Sequence, residues 1–176
     1  RTRISINGEE FMLSELDDNN KLPELEFYFS VDRVNKTVIN ELLSEDTKLG
    51  GEVDIEGLMT GFIDLVFMHD GKYYILDWKS NHLGNSVDNY DKAGMETAMT
   101  GSNYHLQYKI YTVALIRWLK SRIPDFDYEK HFGGIIYVFL RGVRKSRNTG
   151  IYAVKPDKRE IDVLDKALRG ELQEAD

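Results

Sequence analysis

No cysteine occurs anywhere in the 176 residues. That excludes disulfides, cysteine-ligated zinc and iron–sulfur clusters. No stretch reaches the roughly 18 consecutive apolar residues that a membrane-spanning helix needs. The opening RTRISINGEEF has no apolar core of the signal-peptide kind. No G-x-x-x-x-G-K-S/T phosphate loop is found, so no ATP site is expected here. Internal repeats, low-complexity tracts and interdomain linkers are likewise missing. Positive charge is in deficit, with a formal net charge of −7. What is abundant is apolar and aromatic residues, at 41% and 11%, which fits a single folded domain over residues 1–176 with a sizeable core.

The chemistry concentrates in residues 57–81, GLMTGFIDLVFMHDGKYYILDWKSN. Two apolar runs flank an Asp-Gly step, the strongest short-range hairpin signal. If Asp70 and Gly71 form a two-residue loop, His69 faces Lys72. Counting outward, Val66 faces Ile75, Asp64 faces Asp77 and Phe62 faces Lys79. Directly opposed residues share a face, with Cβ atoms roughly 4.5–5.5 Å apart. Asp77 and Lys79, two apart on one strand, share it too. Two carboxylates and one ammonium therefore converge on an otherwise apolar sheet.

Opposed carboxylates repel, and aspartate is depleted in strands. One reading makes these solvated strand charges. The other places a divalent cation between them: magnesium takes hard oxygen ligands, often one or two carboxylates plus substrate phosphate. A lysine beside it acts as a point charge toward phosphate or orients an attacking water.

The pattern G-x-x-D, hairpin, D-x-K resembles the core motif of the PD-(D/E)XK nuclease superfamily. Within it, GFIDLVF and GKYYILDWKSN resemble the RecB C-terminal nuclease-domain family, that of the exodeoxyribonuclease V beta subunit. ELEFYF at 24–29 is similar to that family's first acidic motif, YHLQYKIYTVAL at 104–115 to its Q-x-x-x-Y helix, and RIPDFDYEKHFGGIIYVFLRG at 122–142 to the segment after it. The likeness covers nearly all of residues 22–155.

The resemblance implies a set of roles. Asp64 and Asp77 are expected as magnesium ligands, with the backbone carbonyl of Trp78 completing part of the shell; manganese or calcium can substitute. Trp78 stands where tyrosine is common in the family. Lys79 is expected as the catalytic lysine. Glu24 falls on the upstream acidic position, and Glu26, two residues on, competes for it. Gln107 and Tyr111, four apart and so on one helix face, fall on Q-x-x-x-Y and are expected near the metal, contacting DNA or orienting Lys79. Attack is expected in line, leaving a 5′ phosphate and a 3′ hydroxyl. The partners implied are DNA, as single- and double-stranded ends, and RecC-like and RecD-like subunits, with no membrane. The implied location is the bacterial cytoplasm, at the nucleoid. The lack of cysteine sets the chain apart from iron–sulfur members of the superfamily.

One departure stands out. The family carries a metal-ligating histidine on a helix upstream of the first acidic motif. The 23 residues before Glu24 contain none, and His69, His82, His105 and His131 sit in no matching place. The expectation is an excised domain lacking that ligand, with reduced activity in isolation. The histidines read as surface or structural groups, with His82 notable for closely following Lys79. The net charge of −7 points to weak intrinsic affinity for DNA, since lysine and arginine supply most nonspecific attraction to phosphates.

The expected fold is α/β, a central mixed β-sheet flanked by helices with a restriction-endonuclease-like core. Residues 1–23 read as an irregular lead-in or short edge strand, 24–29 as a strand, 37–43 as a short helix and 48–57 as a loop. Residues 88–99 suit a helix capped by Asp88, although Gly94 weakens it. Tyr104–Arg122 is the clearest helix, ended by Pro124. Gly134–Leu140 reads as a buried strand, Gly150–Val154 as a shorter one, and 157–168 as a terminal helix. RGVRKSRN at 141–148 reads as a solvated loop between strands, with phosphate contact as the alternative. Two competing functions stand beside a helicase-linked nuclease: a non-catalytic docking or regulatory module, and a stand-alone nuclease of the same superfamily.

Overall fold

The computed structural model describes residues 3–34, 40, 55–145 and 147–172. All but residue 40 of the short helix expected at 37–43, and most of the loop expected at 48–57, lie outside the described residues. In chain order the elements are β1 (Arg3–Ile6), β2 (Glu9–Met12), β3 (Lys21–Val34), β4 (Ile55–His69), β5 (Lys72–Lys79), α1 (Lys92–Gly101), α2 (Tyr104–Lys120), α3 (Tyr128–His131), β6 (Phe132–Phe139), β7 (Ile151–Val154) and α4 (Lys158–Leu168). β3-β4-β5-β6-β7 form one sheet, and β1-β2 a separate pair. β5 runs antiparallel to β4 and parallel to β6, and β6 antiparallel to β7. The α/β class with a mixed sheet and helices, predicted from sequence, is what the chain adopts.

Two compact units divide the chain: Arg1–Leu25, Ile63–Met99 and Asp125–Lys155 form the first, and Glu26–Phe62, Thr100–Pro124 and Pro156–Asp176 the second. In the first, β4 and β5 pair from His69↔Lys72 to Leu65↔Leu76. Asp70 and Gly71 both have positive φ, 47° and 76°, the conformation of a type I′ hairpin turn. β6 is buried along its whole length, as a strand with neighbours on both sides and both faces covered must be.

The lead-in is not irregular. Asn7 and Gly8, at φ 51° and 83°, make a second tight turn, so residues 3–12 form a β-hairpin. Ile4 and Ile6 alternate with exposed residues and are buried. Phe11 meets Phe67 edge-on at 5.6 Å and Tyr74 at 5.3 Å. The hairpin thus covers the sheet face that carries Phe67, Tyr74, Leu76, Ile136 and Val138. A Cβ on Gly133 would lie 2.1 Å from the Tyr74 ring, so only glycine lets that ring cross β6.

The hairpin is also fastened by charge. Glu9 accepts hydrogen bonds from Lys72 Nζ and Tyr74 Oη. The Lys72 bond, then the Tyr74 bond, hold the Glu9 carboxyl below its ordinary 4.5. Burial, reinforced by Glu9, pushes the Tyr74 phenol well up. A group whose folded pKa is lowered stabilises the fold above its unfolded pKa and ceases to as pH falls through the folded value. Glu9→Gln is therefore expected to cost about 1 kcal/mol at pH 7. In urea titrations the deficit should vanish as pH falls below Glu9's lowered pKa. A deficit that persists in acid would assign the effect to packing instead.

Two helix boundaries differ from expectation. In place of a helix over 88–99 there is a 3-10 turn, Val87–Tyr90, capped by Ser86, and then α1. Gly94 permits the junction, because a Cβ there would lie 1.9 Å from the Asn89 carbonyl oxygen. Asp91 serves as the helix-start acceptor, taking the Gly94 N–H at 2.8 Å. In the second unit α2 ends at Lys120, two residues earlier than the expected Arg122. It is clamped to α4 by Arg117 Nε on Asp165 at 2.6 Å and Lys109 on Glu160 at 3.4 Å.

Candidate active site

Extending the β4–β5 register by one step brings Asp64 opposite Asp77. The regular ladder stops there: the Trp78 N–H donates to the Asp64 carboxylate at 2.9 Å. The expected next pair, Phe62 with Lys79, is not part of the ladder. Phe62 is exposed while Lys79 is buried. The carboxylate substitutes for a strand carbonyl, so Asp64 both ends the pairing and is oriented by it.

Asp77 lies on β5 between β4 and β6, and only 4% of it is exposed. Its Oδ2 is 2.7 Å from Lys79 Nζ, itself buried. The strand period places both on one face. Across the parallel pair Asp77 is in register with Tyr137, whose ring centroid lies 4.8 Å from Lys79 Nζ. Burial raises the Asp77 carboxyl above its ordinary 3.8; Lys79 opposes this, and the Asp64 carboxylate adds to it. The two acids are thus close enough to feel each other, with one ammonium held between the sheet and a phenol ring.

Trp78 points the other way, as alternation demands. Its side chain is 43% exposed and, with Leu13, Val138 and Leu140, lines an apolar depression of about 430 Å³. The Trp78 carbonyl, the third expected ligand, lies in the stretch of β5 paired with β6.

Glu24 lies on β3, exposed, at φ 52°. Glu26, its competitor for the upstream acidic position, is exposed as well. Among the described residues no group of three or more aspartate, glutamate or histidine side chains gathers in a metal-holding cluster. Asp64 and Asp77 therefore offer two carboxylates, and neither Glu24 nor a histidine joins them. The donors are hard oxygens on a like-charge pair, the chemistry magnesium accepts when water and phosphate fill its other positions.

Gln107 and Tyr111 belong to the second unit. On α2 the Gln107 amide donates to the Tyr111 hydroxyl at 3.1 Å. Tyr111 meets Phe27 edge-on at 5.8 Å. Together with Met59, Gly61 and Leu106 they line a cavity of about 390 Å³. Gly61 is required there, because a Cβ would approach the Phe27 ring to 2.6 Å.

Sequence reasoning passed over Tyr137 and Tyr90. Tyr137 was hidden in an apolar run, and only the parallel register with Asp77 singles it out. Buried Tyr90 ties down the segment that follows Lys79. Its hydroxyl donates to the Asn81 carbonyl and accepts the Leu83 N–H, both at 3.2 Å. Its own carbonyl accepts the Gly150 N–H at 2.9 Å.

The chain has relatives among known proteins. It is 41% identical over 179 residues to the RecBCD enzyme subunit RecB of Escherichia coli strain K12, a match covering 97% of this chain and 15% of that protein. The subunit of the same name from Haemophilus influenzae strain Rd is 37% identical over 158 residues, covering 87% of this chain and 13% of that protein. That of Mycobacterium tuberculosis strain H37Rv is 33% identical over 132 residues, covering 70% and 12%. The chain therefore spans no more than 15% of the length of these relatives. No family model matches it.

Proposed function

Because the chain belongs to the RecB family, we propose that it is the magnesium-dependent DNA nuclease domain of a RecBCD-type helicase–nuclease, hydrolysing phosphodiester bonds in double-strand break repair and recombination. The observation that carries this reading is the convergence of Asp64, Asp77 and Lys79 at the end of the β4–β5 ladder, with Lys79 Nζ 2.7 Å from Asp77.

Asp64, Asp77 and the Trp78 carbonyl would hold the ion. When bound, magnesium supplies a Lewis acid for a phosphoryl oxygen and lowers the pKa of coordinated water. The chain does the rest. The Trp78 N–H fixes one carboxylate oxygen of Asp64 in place. Asp77 keeps Lys79 aimed, and the Tyr137 ring centroid lies 4.8 Å from its Nζ. Lys79 then offers its charge to the scissile phosphate or to the water that attacks it. Water adds to phosphorus, the bond to the 3′ oxygen breaks, and the products carry a 5′ phosphate and a 3′ hydroxyl. Gln107 and Tyr111, already bonded to each other, act as one unit toward the DNA strand. Glu24 is the upstream acid of the motif. RecC-like and RecD-like subunits, and a bacterial cytoplasmic location, follow from the same reading.

The test is cleavage of end-labelled single-stranded DNA by this chain, with magnesium and with a chelator. Metal-dependent products bearing 5′ phosphates are expected. Equal rates in the two conditions would overturn the proposal.

A further inference from the structure

We propose that the β6–β7 loop binds the sugar–phosphate backbone of a DNA strand beside the candidate catalytic groups, with Arg144 and Lys145 as phosphate contacts. The proposal rests on the nuclease reading for what the loop serves, and on the loop's own geometry for where it lies.

Residues 141–147 carry four cations, Arg141, Arg144, Lys145 and Arg147, on a chain whose net charge is −7. All four are exposed. Arg147 is neutralised by Asp88 at 2.7 Å. Arg141 and Arg144 donate to backbone carbonyls, of Ser80 and of the loop itself. Among the described residues, none of Arg141, Arg144 and Lys145 has a carboxylate partner. Three cations within five positions repel one another, and closely spaced anions relieve that repulsion. A nucleic-acid strand presents such a row of phosphates.

The loop is held in place. The Leu140 N–H donates to the Lys79 carbonyl at 2.9 Å, and Arg141 Nε to the Ser80 carbonyl at 3.1 Å. The basic run thus starts from the backbone of the candidate catalytic lysine and its successor. The Thr149 hydroxyl closes on the Gly142 carbonyl at 2.7 Å. Gly142 lies where a Cβ would come within 2.3 Å of Tyr90, the residue that anchors Asn81 and Leu83. A tethered loop pays less conformational entropy on meeting a ligand than a free one, which separates this run from an ordinary solvated one.

The experiment measures binding of a fluorescent oligothymidine to this chain in chelator, across a salt series. Wild type is compared with Arg144→Gln/Lys145→Gln and with a control of equal charge change elsewhere, Lys92→Gln/Lys120→Gln. On a single strand each lost phosphate contact lowers the slope of log affinity against log salt by about 0.7. The loop variant is expected to lose about 1.4 from the slope, and the control none. No measurable binding by wild type at low salt, an unchanged slope, or an equal drop in the control would each overturn the proposal. Cleavage with magnesium is read in parallel. If wild type cleaves and the slope does not move, the loop assignment fails and the nuclease reading stands. If the slope falls and nothing is cleaved, the phosphate surface stands and the nuclease reading fails.

Discussion

Asp77→Asn is expected to lower magnesium-dependent cleavage of single-stranded DNA about a hundred- to a thousandfold, the scale on which loss of one preorganised electrostatic group is felt in a water-poor site. Asparagine keeps the shape of the side chain but carries no charge to hold a cation. The same change should erase the stabilisation that magnesium gives. A ligand bound only by the folded state adds about 2.7 kcal/mol at a hundred times its Kd, which wild type should show in urea titrations and the variant should lack. The sign with pH is fixed by the raised Asp77 carboxyl. The folded state holds this proton more tightly than the unfolded chain, so Asp77's own contribution is most favourable below its ordinary 3.8 and is lost as pH rises through the raised value. Magnesium competes with that proton. Its stabilising effect should therefore grow with pH over the same window. A magnesium response of equal size in wild type and Asp77→Asn would place the ion elsewhere.

Lys79→Met should be nearly as severe, for a different reason. It removes the charge offered to the phosphate and also leaves Asp77 buried without a partner. Breaking a buried pair from one side costs about 3–5 kcal/mol. Protonation of Asp77 limits the penalty, so the variant is expected to recover stability as pH falls. The double change Lys79→Met/Asp77→Asn should recover much of the loss at neutral pH, because it removes the stranded charge. If the single and double variants are equally unstable at pH 7, the pair does not act through charge. Cleavage should stay low in both.

Much of the site's neighbourhood was legible because it is local. The Asp-Gly step sets a two-residue turn, and counting outward from it brings Asp64 opposite Asp77. The same logic applied to Asn7-Gly8 and was overlooked amid polar neighbours, so the first hairpin read as an irregular lead-in or a short edge strand. Where counting stopped working, a side chain had taken over from the backbone. Asp64 accepts the N–H that would have continued the ladder, and Glu24 adopts a positive φ that no periodicity reveals. Tyr137 and Tyr90 were illegible for another reason. Tyr137 matters through Asp77, set beside it by a parallel register, and Tyr90 through joining nearby Asn81 and Leu83 to distant Gly150 by loop closure. The buried part of α2 is wider than a single helix face. Tyr108, Thr112, Ile116 and Leu119 are buried along with Val113 and Leu115, because α4 covers part of the helix that a single-sided pattern leaves to solvent.

The Tyr90 fastening has an engineering consequence. One aromatic residue grips both the stretch leaving β5 and the crossover into β7. The lengths of these two excursions are therefore not independent. Adding residues between Asn81 and Tyr90, or between Gly142 and Gly150 on the fastened side, would loosen both at once. Grafted sequence is best accommodated outside both stretches, away from the grip. Foreign peptides could be displayed there while β5 and its neighbours keep their alignment.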